Sequence, residues 1–352
     1  MSTQDLLKDA KLRFSTDRKE GYTRKVSGNN FQYFNTEGNL ITENSVIDRI
    51  NSLAIPPAYK KVWICPFENG YLQATGYDDR KRKQYRYHPL WNKASQTEKF
   101  SHITEFAQEL PKIREKIKAD LSSDKLTKQK VVAAVIWLLE NTLIRIGNEE
   151  YAEENNSYGL TTLKNKHVSI YSGNIRFRFK GKSGVYHNIS IKNKKVARII
   201  RSCRDLPGQD LFEFVDSNGE VQTVSSQDVN AYLQEITGKD ITAKDFRTWG
   251  GTVFAAIVFD RTGVLEDETL TKQSVADVVK KVAAHLRNKP NTCKKYYIHP
   301  HIITAYLNGY NLSNFRDLDD IKKYKKIEGL DDYENKVLHM VSHMNDHKLN
   351  SN

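Results

Sequence analysis

From Thr127 to Ile146 the chain is strongly apolar, with Val131, Val132, Val135, Leu138, Leu139, Leu143 and Ile144, and the pattern predicts a buried central helix. Helical periodicity extends to both sides of it. Gln96–Ser122 reads as a helix with a break or a new start near Pro111, because proline removes a ladder hydrogen bond. Ser225–Ile236 and Thr242–Phe259 open with Ser225-x-x-Asp228 and Thr242-x-x-Asp245, which are capping boxes with aspartate in the glutamate position. Thr271–Arg287 sets Val275, Val278, Val279, Val282 and Leu286 on one helical face, and the charged tail from Leu318 onward also reads as helical.

Upstream of Trp91 the pattern is that of strands and turns. Phe31–Phe34 and Asn39–Ile41 flank a turn at Asn35–Gly38 and predict a hairpin. A short helix over Asn44–Leu53, capped by Asn44 or Ser45, ends at Pro56-Pro57. Lys61–Cys65 and Tyr71–Thr75 are strands joined around Asn69-Gly70, and Gln84–Tyr87 follows the turn Asp78–Lys81. A second group of predicted strands, Leu160–Leu163, Val168–Ile170, Ile175–Phe179 and Tyr186–Ile191, interrupts the helices, with Lys180–Gly184 as a hairpin loop. A short helix at Val196–Cys203 and a hairpin around Ser217–Gly219 come next. The expectation is an α+β protein: a small antiparallel β-rich domain over residues 1–90 and a mainly helical domain over 91–352 carrying a β-hairpin insertion.

Composition changes this picture in one respect. The 352 residues carry a formal charge of +12, which favours a polyanionic partner, most commonly nucleic acid. No apolar run approaches the ~20 residues of a membrane span, and the start of the chain lacks a signal-peptide pattern. Cys65, Cys203 and Cys293 are widely spaced, so neither a disulfide framework nor a zinc spacing follows, and a cytoplasmic setting is expected.

The charge is unevenly distributed. In the run Arg80-Lys81-Arg82-Lys83-Gln84-Tyr85-Arg86-Tyr87-His88 a strand would put Tyr85 and Tyr87 on one face and Gln84 and Arg86 on the other. Such a strand can hold phosphates and read base edges, or it can be a solvated turn beside two core tyrosines. Gly181-Lys182-Ser183 matches the end of a phosphate-binding loop, but the upstream glycine would fall at Arg176, so no nucleotide cofactor is expected. Lys182 at a hairpin tip could still donate a proton. Arg145 ends the most apolar stretch and needs a partner, either Glu149 or Glu150 or a ligand phosphate. Lys244 and Arg247 start another apolar helix, where an anion or a structural ion pair would serve. Tyr296 and Tyr297 follow two lysines; a phenol beside cations suits a nucleophile, although the pair also fits two half-buried aromatics. No metal-ligand spacing occurs, so phosphoryl chemistry here would rest on arginine and lysine.

Taken in order, these pieces resemble the type IB DNA topoisomerases, particularly the bacterial branch of the compact poxvirus-like group. The matching segments are Ile55–Tyr59, Gln73–Gly76, Arg82–Tyr87, Arg145–Tyr151, Tyr158–Leu163, Lys180–Gly184, Lys244–Trp249 and Lys295–Pro300. The resemblance implies a monomer that forms a clamp around double-stranded DNA, acting in the cytoplasm at the bacterial nucleoid, with no membrane, metal or cofactor. It implies that a tyrosine attacks a phosphodiester to form a 3′-phosphotyrosyl link, the free strand swivels, and the 5′-hydroxyl reseals the break. By position, Tyr297 matches the nucleophile, Arg145 and Arg247 the arginines on the nonbridging oxygens, and Lys182 the general acid. Lys244 and Tyr151 match further phosphate contacts, and Arg82, Lys83, Gln84, Tyr85 and Tyr87 the DNA-contacting strand. The poxviral and eukaryotic histidine nine residues before the nucleophile is replaced by Asn288, whose amide can still donate; His285 is not its substitute. Tyrosine recombinases share this residue logic, but their N-terminal domain is helical. A basic DNA-binding protein that does not cleave is the other reading.

Overall fold

The computed structural model describes residues 3–28, 30–79, 81–315 and 325–346. They divide into two units, Met1–Ser101 and His102–Asn352. In the first, β1 (Tyr22–Ser27), β2 (Asn30–Phe34), β3 (Lys60–Ile64), β4 (Leu72–Tyr77) and β5 (Lys83–Tyr87) form an antiparallel sheet in the order β2-β1-β3-β4-β5. Ile50 of α2 (Asn44–Ser52) is buried with Val62, Ile64 and Ala74 of the sheet, and Tyr22, Tyr33 and Tyr59 pack around them. A short helix, α1 (Thr3–Asp9), precedes the sheet.

Phe31–Phe34 and Asn39–Ile41 meet in a short hairpin, a Phe34–Leu40 bridge flanked by Ile41 N–H on the Tyr33 carbonyl and Asn35 N–H on the Asn39 carbonyl (2.8 Å each), while the longer pairing of β2 is with β1. Gly28, at φ +60°, helps to reverse the chain between β1 and β2. One expectation for this unit changes. The cap of α2 is Glu43, whose carboxylate accepts from the Ser45 hydroxyl (2.6 Å) but from no backbone N–H of the helix, and neither Asn44 nor Ser45 takes that place.

In the second unit α4 (Lys128–Thr142) is the centre: Val131–Ile136, Leu138 and Leu139 are all buried. Around it lie α6 (Lys194–Arg204), α7 (Ser226–Thr237), α8 (Ala243–Thr262), α9 (Glu268–Leu286) and α12 (Asp332–Asp346). The boxes at Ser225 and Thr242 form, with Asp228 and Asp245 accepting from the backbone N–H of their cap residues at 2.8 Å each. β6 (Val168–Tyr171), β7 (Asn174–Lys180) and β8 (Tyr186–Lys192) make an antiparallel sheet, and β9 (Glu213–Val215) pairs with β10 (Val221–Thr223). The chain is thus α+β.

The helix α3 (Pro89–Asp120) runs unbroken through Pro111, and the division between units falls inside it rather than at residue 90. The expected strand Leu160–Leu163 is a 3-10 turn, because Gly159 N–H donates to the Thr162 hydroxyl (2.9 Å) and tightens the chain. Three short helices, α5 (Glu149–Asn155), α10 (Pro290–Tyr296) and α11 (Pro300–Leu307), carry too few turns for a periodic signal. Of the expected C-terminal helix, Leu318–Tyr324 lies outside the described residues and Asp332–Asp346 is helical. All three cysteines are free and buried. No helix among the described residues is long and apolar enough to cross a membrane.

Candidate active site

The central helix ends earlier than its apolar pattern suggests. Leu143 turns left-handed at φ 53°, so Arg145 stands in a loop rather than on the helix. That loop is held against the 3-10 turn: Leu160 N–H donates to the Arg145 carbonyl (2.8 Å) and Thr161 N–H to the Ile146 carbonyl (2.7 Å). A Cβ on Gly159 would come within 2.6 Å of the Arg145 carbonyl oxygen, so only glycine admits this approach. Asn148 then caps α5 and sets Tyr151 on its first turn.

Arg145 pairs with neither Glu149 nor Glu150. One guanidinium nitrogen, Nη2, donates to Asn288 Oδ1, while Nη1 is buried without a partner. This bond fixes the asparagine amide, since a guanidinium can only donate. It leaves Asn288 Nδ2, also buried without a partner, as a donor.

Arg247 lies on the first turns of α8 and is 3% exposed. It donates through Nη1 to the Leu143 carbonyl and through Nη2 to the Leu286 carbonyl (3.1 Å), binding the C-terminal ends of α4 and α9 together. Burial, aided by nearby Arg145, pulls its pKa down to about 10, and the Tyr297 phenol opposes that fall. The guanidinium carbon sits 5.1 Å from the Tyr297 ring centroid. Tyr297 follows α10, its N–H bonded to the Cys293 carbonyl (2.9 Å). Its backbone lies so close to α8 that a Cβ on Gly251 would fall 2.5 Å from the Tyr297 carbonyl oxygen.

Lys182 rises from the β7–β8 hairpin, exposed, with its ammonium 5.4 Å from the Tyr151 ring centroid. Arg145, Tyr151, Lys182, Lys244, Arg247 and Tyr297 all line one cavity of about 390 Å³. Tyr296 does not line it; its ring is 39% exposed and lies under Lys295. His285 stacks on Phe254 at 4.2 Å and does not line it either, and Asn288 is not among the lining residues but meets the site through Arg145. Among the described residues, no three His, Cys, Asp or Glu side chains gather as a metal site.

One buried group near these cations has no counterpart in the sequence reading. His187 of β8 is 3% exposed, and strand alternation puts it inward beside Phe179, but nothing local marks it as polar machinery. Burial, with Arg287, Arg145 and Arg247 adding to it, holds its pKa down to about 4. The unfolded chain takes up this proton near the ordinary 6.5, while the folded one does not until about 4. This residue's stability contribution is therefore full above 6.5 and declines as pH falls through that window. Between pH 7 and pH 5, urea unfolding should show wild type losing about 2 kcal/mol more than His187→Gln. Equal losses in the two proteins would contradict the depressed value.

The basic strand of the first unit is more neutralised than its composition suggests. Arg82 pairs with Asp78 (2.7 Å), Lys83 with Asp17 (2.5 Å), and Gln84 donates to Asp78 (3.1 Å). On edge strand β5, Tyr85 and Tyr87 share a face, 49% and 37% exposed, with rings stacked 6.1 Å apart. Arg80 lies outside the described residues.

Two arginines, two lysines and a tyrosine around one cavity make a site suited to an anionic ligand such as a phosphodiester. Comparison with known proteins identifies the family. Residues 30–78 match the bacterial DNA topoisomerase IB N-terminal domain, and residues 81–309 match the eukaryotic DNA topoisomerase I catalytic core. The DNA topoisomerase 1B of Acanthamoeba polyphaga mimivirus is 33% identical over 296 residues, spanning 82% of this chain and 88% of the viral protein. The DNA topoisomerase 1B of Vaccinia virus (strain Copenhagen) is 27% identical over 188 residues, spanning 53% of this chain and 55% of that one. The chain belongs to the type IB DNA topoisomerases, in the poxvirus-like group, and is an enzyme of that class that relaxes DNA. A XerH site-specific recombinase bound to difH substrate superposes with a TM-score of 0.32 at 16% identity, covering 62% of this chain and 53% of that one, too loosely to bear on the fold.

Proposed function

We propose that Tyr297 is the nucleophile of this topoisomerase and that it forms a 3′-phosphotyrosyl link to one strand of duplex DNA. The observation that carries this reading is the shared cavity: side chains from the 145 loop, the β7–β8 hairpin, α8 and the end of α10 converge on it. As the phenol gives up its proton to solvent and its oxygen bonds to phosphorus, the bond from phosphorus to the 5′-oxygen breaks. Lys182 gives that oxygen a proton, help worth roughly 10²–10⁴-fold. Arg145, through its unpartnered Nη1, and Arg247 neutralise the nonbridging oxygens, with Asn288 Nδ2 as a third donor. Lys244 and Tyr151 hold adjacent phosphates.

After the cut strand swivels, its 5′-hydroxyl attacks phosphorus, returns its proton to Lys182 and expels the tyrosine as a phenolate that regains its proton from solvent. One phosphodiester replaces another, so the cycle needs no nucleotide to drive it. The enzyme works as a monomer on cytoplasmic, nucleoid DNA. In the first unit the exposed Tyr85–Tyr87 face carries the DNA contact, with Gln84, Arg82 and Lys83 released from their carboxylates toward phosphates and bases.

The test is denaturant trapping on a supercoiled plasmid and on an end-labelled duplex. Relaxed plasmid without recombinant product, and protein attached at the 3′ side of the break, are expected. Recombinant circles would favour strand exchange, and no adduct at all would favour a protein that only binds. Because phosphate contacts dominate, adduct formation at sub-saturating protein should fall steeply between 50 and 200 mM salt, on the order of 10³-fold for about six contacts. A flat salt response would count against such contacts.

A further inference from the structure

Gly181, the residue before Lys182, has φ −95° and ψ −171°, extended backbone that any residue adopts. Its lack of a side chain is therefore not demanded by its own conformation. The demand comes from His187, because a Cβ at position 181 would lie 2.5 Å from Nε2 and 2.7 Å from Cδ2 of that ring.

The ring is itself fixed. It stacks on Phe179, its cross-strand partner, at 4.6 Å and an interplanar angle of 13°. Phe179 in turn faces His167 at 6.5 Å, and His167 meets Tyr158 of the cavity wall at 4.4 Å. The loop above has little freedom, with Gly181 N–H on the Val185 carbonyl (2.8 Å) and Gly184 N–H on the Gly181 carbonyl (3.0 Å). Tyr158 N–H on the Lys180 carbonyl (2.8 Å) secures the strand that feeds it.

Neither Nδ1 nor Nε2 of His187 has a hydrogen-bond partner. Burying unpaired polar atoms is unfavourable, and an apolar side chain would fill this slot beside Phe177, Phe179 and Ile189 without that cost. Packing alone does not account for an imidazole here.

We propose that His187 is a positioning residue for Lys182: the edge of its ring is the stop against which Gly181 seats the hairpin loop, and this sets the ammonium at the cavity. The inference rests on the reading of Lys182 as the general acid. A displacement of about 1 Å in such a group can cost about 10²-fold in rate.

The test uses single-turnover cleavage of two duplexes carrying a site mapped by trapping. One has the ordinary bridging 5′-oxygen at the cleaved phosphodiester and the other has sulfur there. Sulfur leaves as a thiolate and needs no proton, so it restores a variant whose only defect is proton delivery. His187→Ala should cleave the oxygen substrate about 10–100-fold more slowly than wild type and the sulfur substrate at nearly the wild-type rate. Gly181→Ala disturbs the same contact from the loop side and should show the same signature; it keeps the test open if His187→Ala does not fold. Wild-type cleavage of the oxygen substrate by both variants, or equal slowing of both substrates, would overturn the positioning role. Lys182→Ala run alongside separates the two readings. If sulfur does not restore it, the general-acid assignment fails; if sulfur restores it but not His187→Ala and Gly181→Ala, the positioning role alone fails.

Discussion

Tyr297→Phe should give no covalent protein–DNA adduct and no measurable plasmid relaxation, while Tyr296→Phe should retain both. The substitution removes one oxygen, together with its hydrogen bond to Arg247. A phenylalanine ring keeps the contact with the Arg247 guanidinium, 5.1 Å from the centroid, and leaves the backbone in place against Gly251. Stability should therefore stay within about 1 kcal/mol of wild type, which a urea midpoint would report. Tyr296 has the same chemistry one residue earlier, but its ring lies outside the cavity. If Tyr297→Phe relaxes plasmid and Tyr296→Phe does not, the nucleophile has been misassigned.

Arg247→Ala should be damaging twice over. As a cation on a nonbridging oxygen its loss should slow cleavage by about 10²–10³-fold, or roughly 3–4 kcal/mol of transition-state stabilisation. As a structural group, it leaves the Leu143 and Leu286 carbonyls without a shared donor at the ends of α4 and α9, at about 1–3 kcal/mol each. Arg247→Lys should recover only part of either, because an ammonium is a single point donor and cannot span two carbonyls and a phosphate as the planar fork does. Cleavage rate and urea midpoint measured on the same preparations separate the effects. A fully active, fully stable Arg247→Ala would remove this residue from the site.

Much of the fold was legible because its signals are local. The apolar run of α4, the two aspartate capping boxes and the alternating strands β7 and β8 each follow from a few neighbouring residues. The misreadings occurred where distant groups decide. Leu143 is an ordinary leucine, and only the Arg247 guanidinium on its carbonyl shows why the helix stops there. Leu160–Leu163 has the composition of a strand, yet the N–H groups of Leu160 and Thr161 are taken by the carbonyls of Arg145 and Ile146, and those of Thr162 and Leu163 close the 3-10 turn.

For the site, the residues could be named from motif order, but their partners could not. Arg145 and Asn288 meet across 143 positions, and the expected local carboxylates play no part. The charge run at Arg82 and Lys83 reads as free cation in a string of letters, whereas Asp78 and Asp17 fold back onto it. His187 was invisible for the opposite reason, since alternation marks it as one more inward residue and only the missing partners of its nitrogens mark it as unusual.

The last helix also bears on how the site is completed. Glu334 of α12 accepts from Arg114 of α3 at 2.7 Å and from Trp249 Nε1 at 3.3 Å, and Trp249 lies two residues beyond Arg247 on α8. The cations at positions 145, 182 and 247 precede Tyr297 in the chain, and the carboxylate that steadies α8 follows it. A chain ending before α12 would therefore contain every side chain that lines the cavity yet lack the carboxylate that Arg114 and Trp249 share.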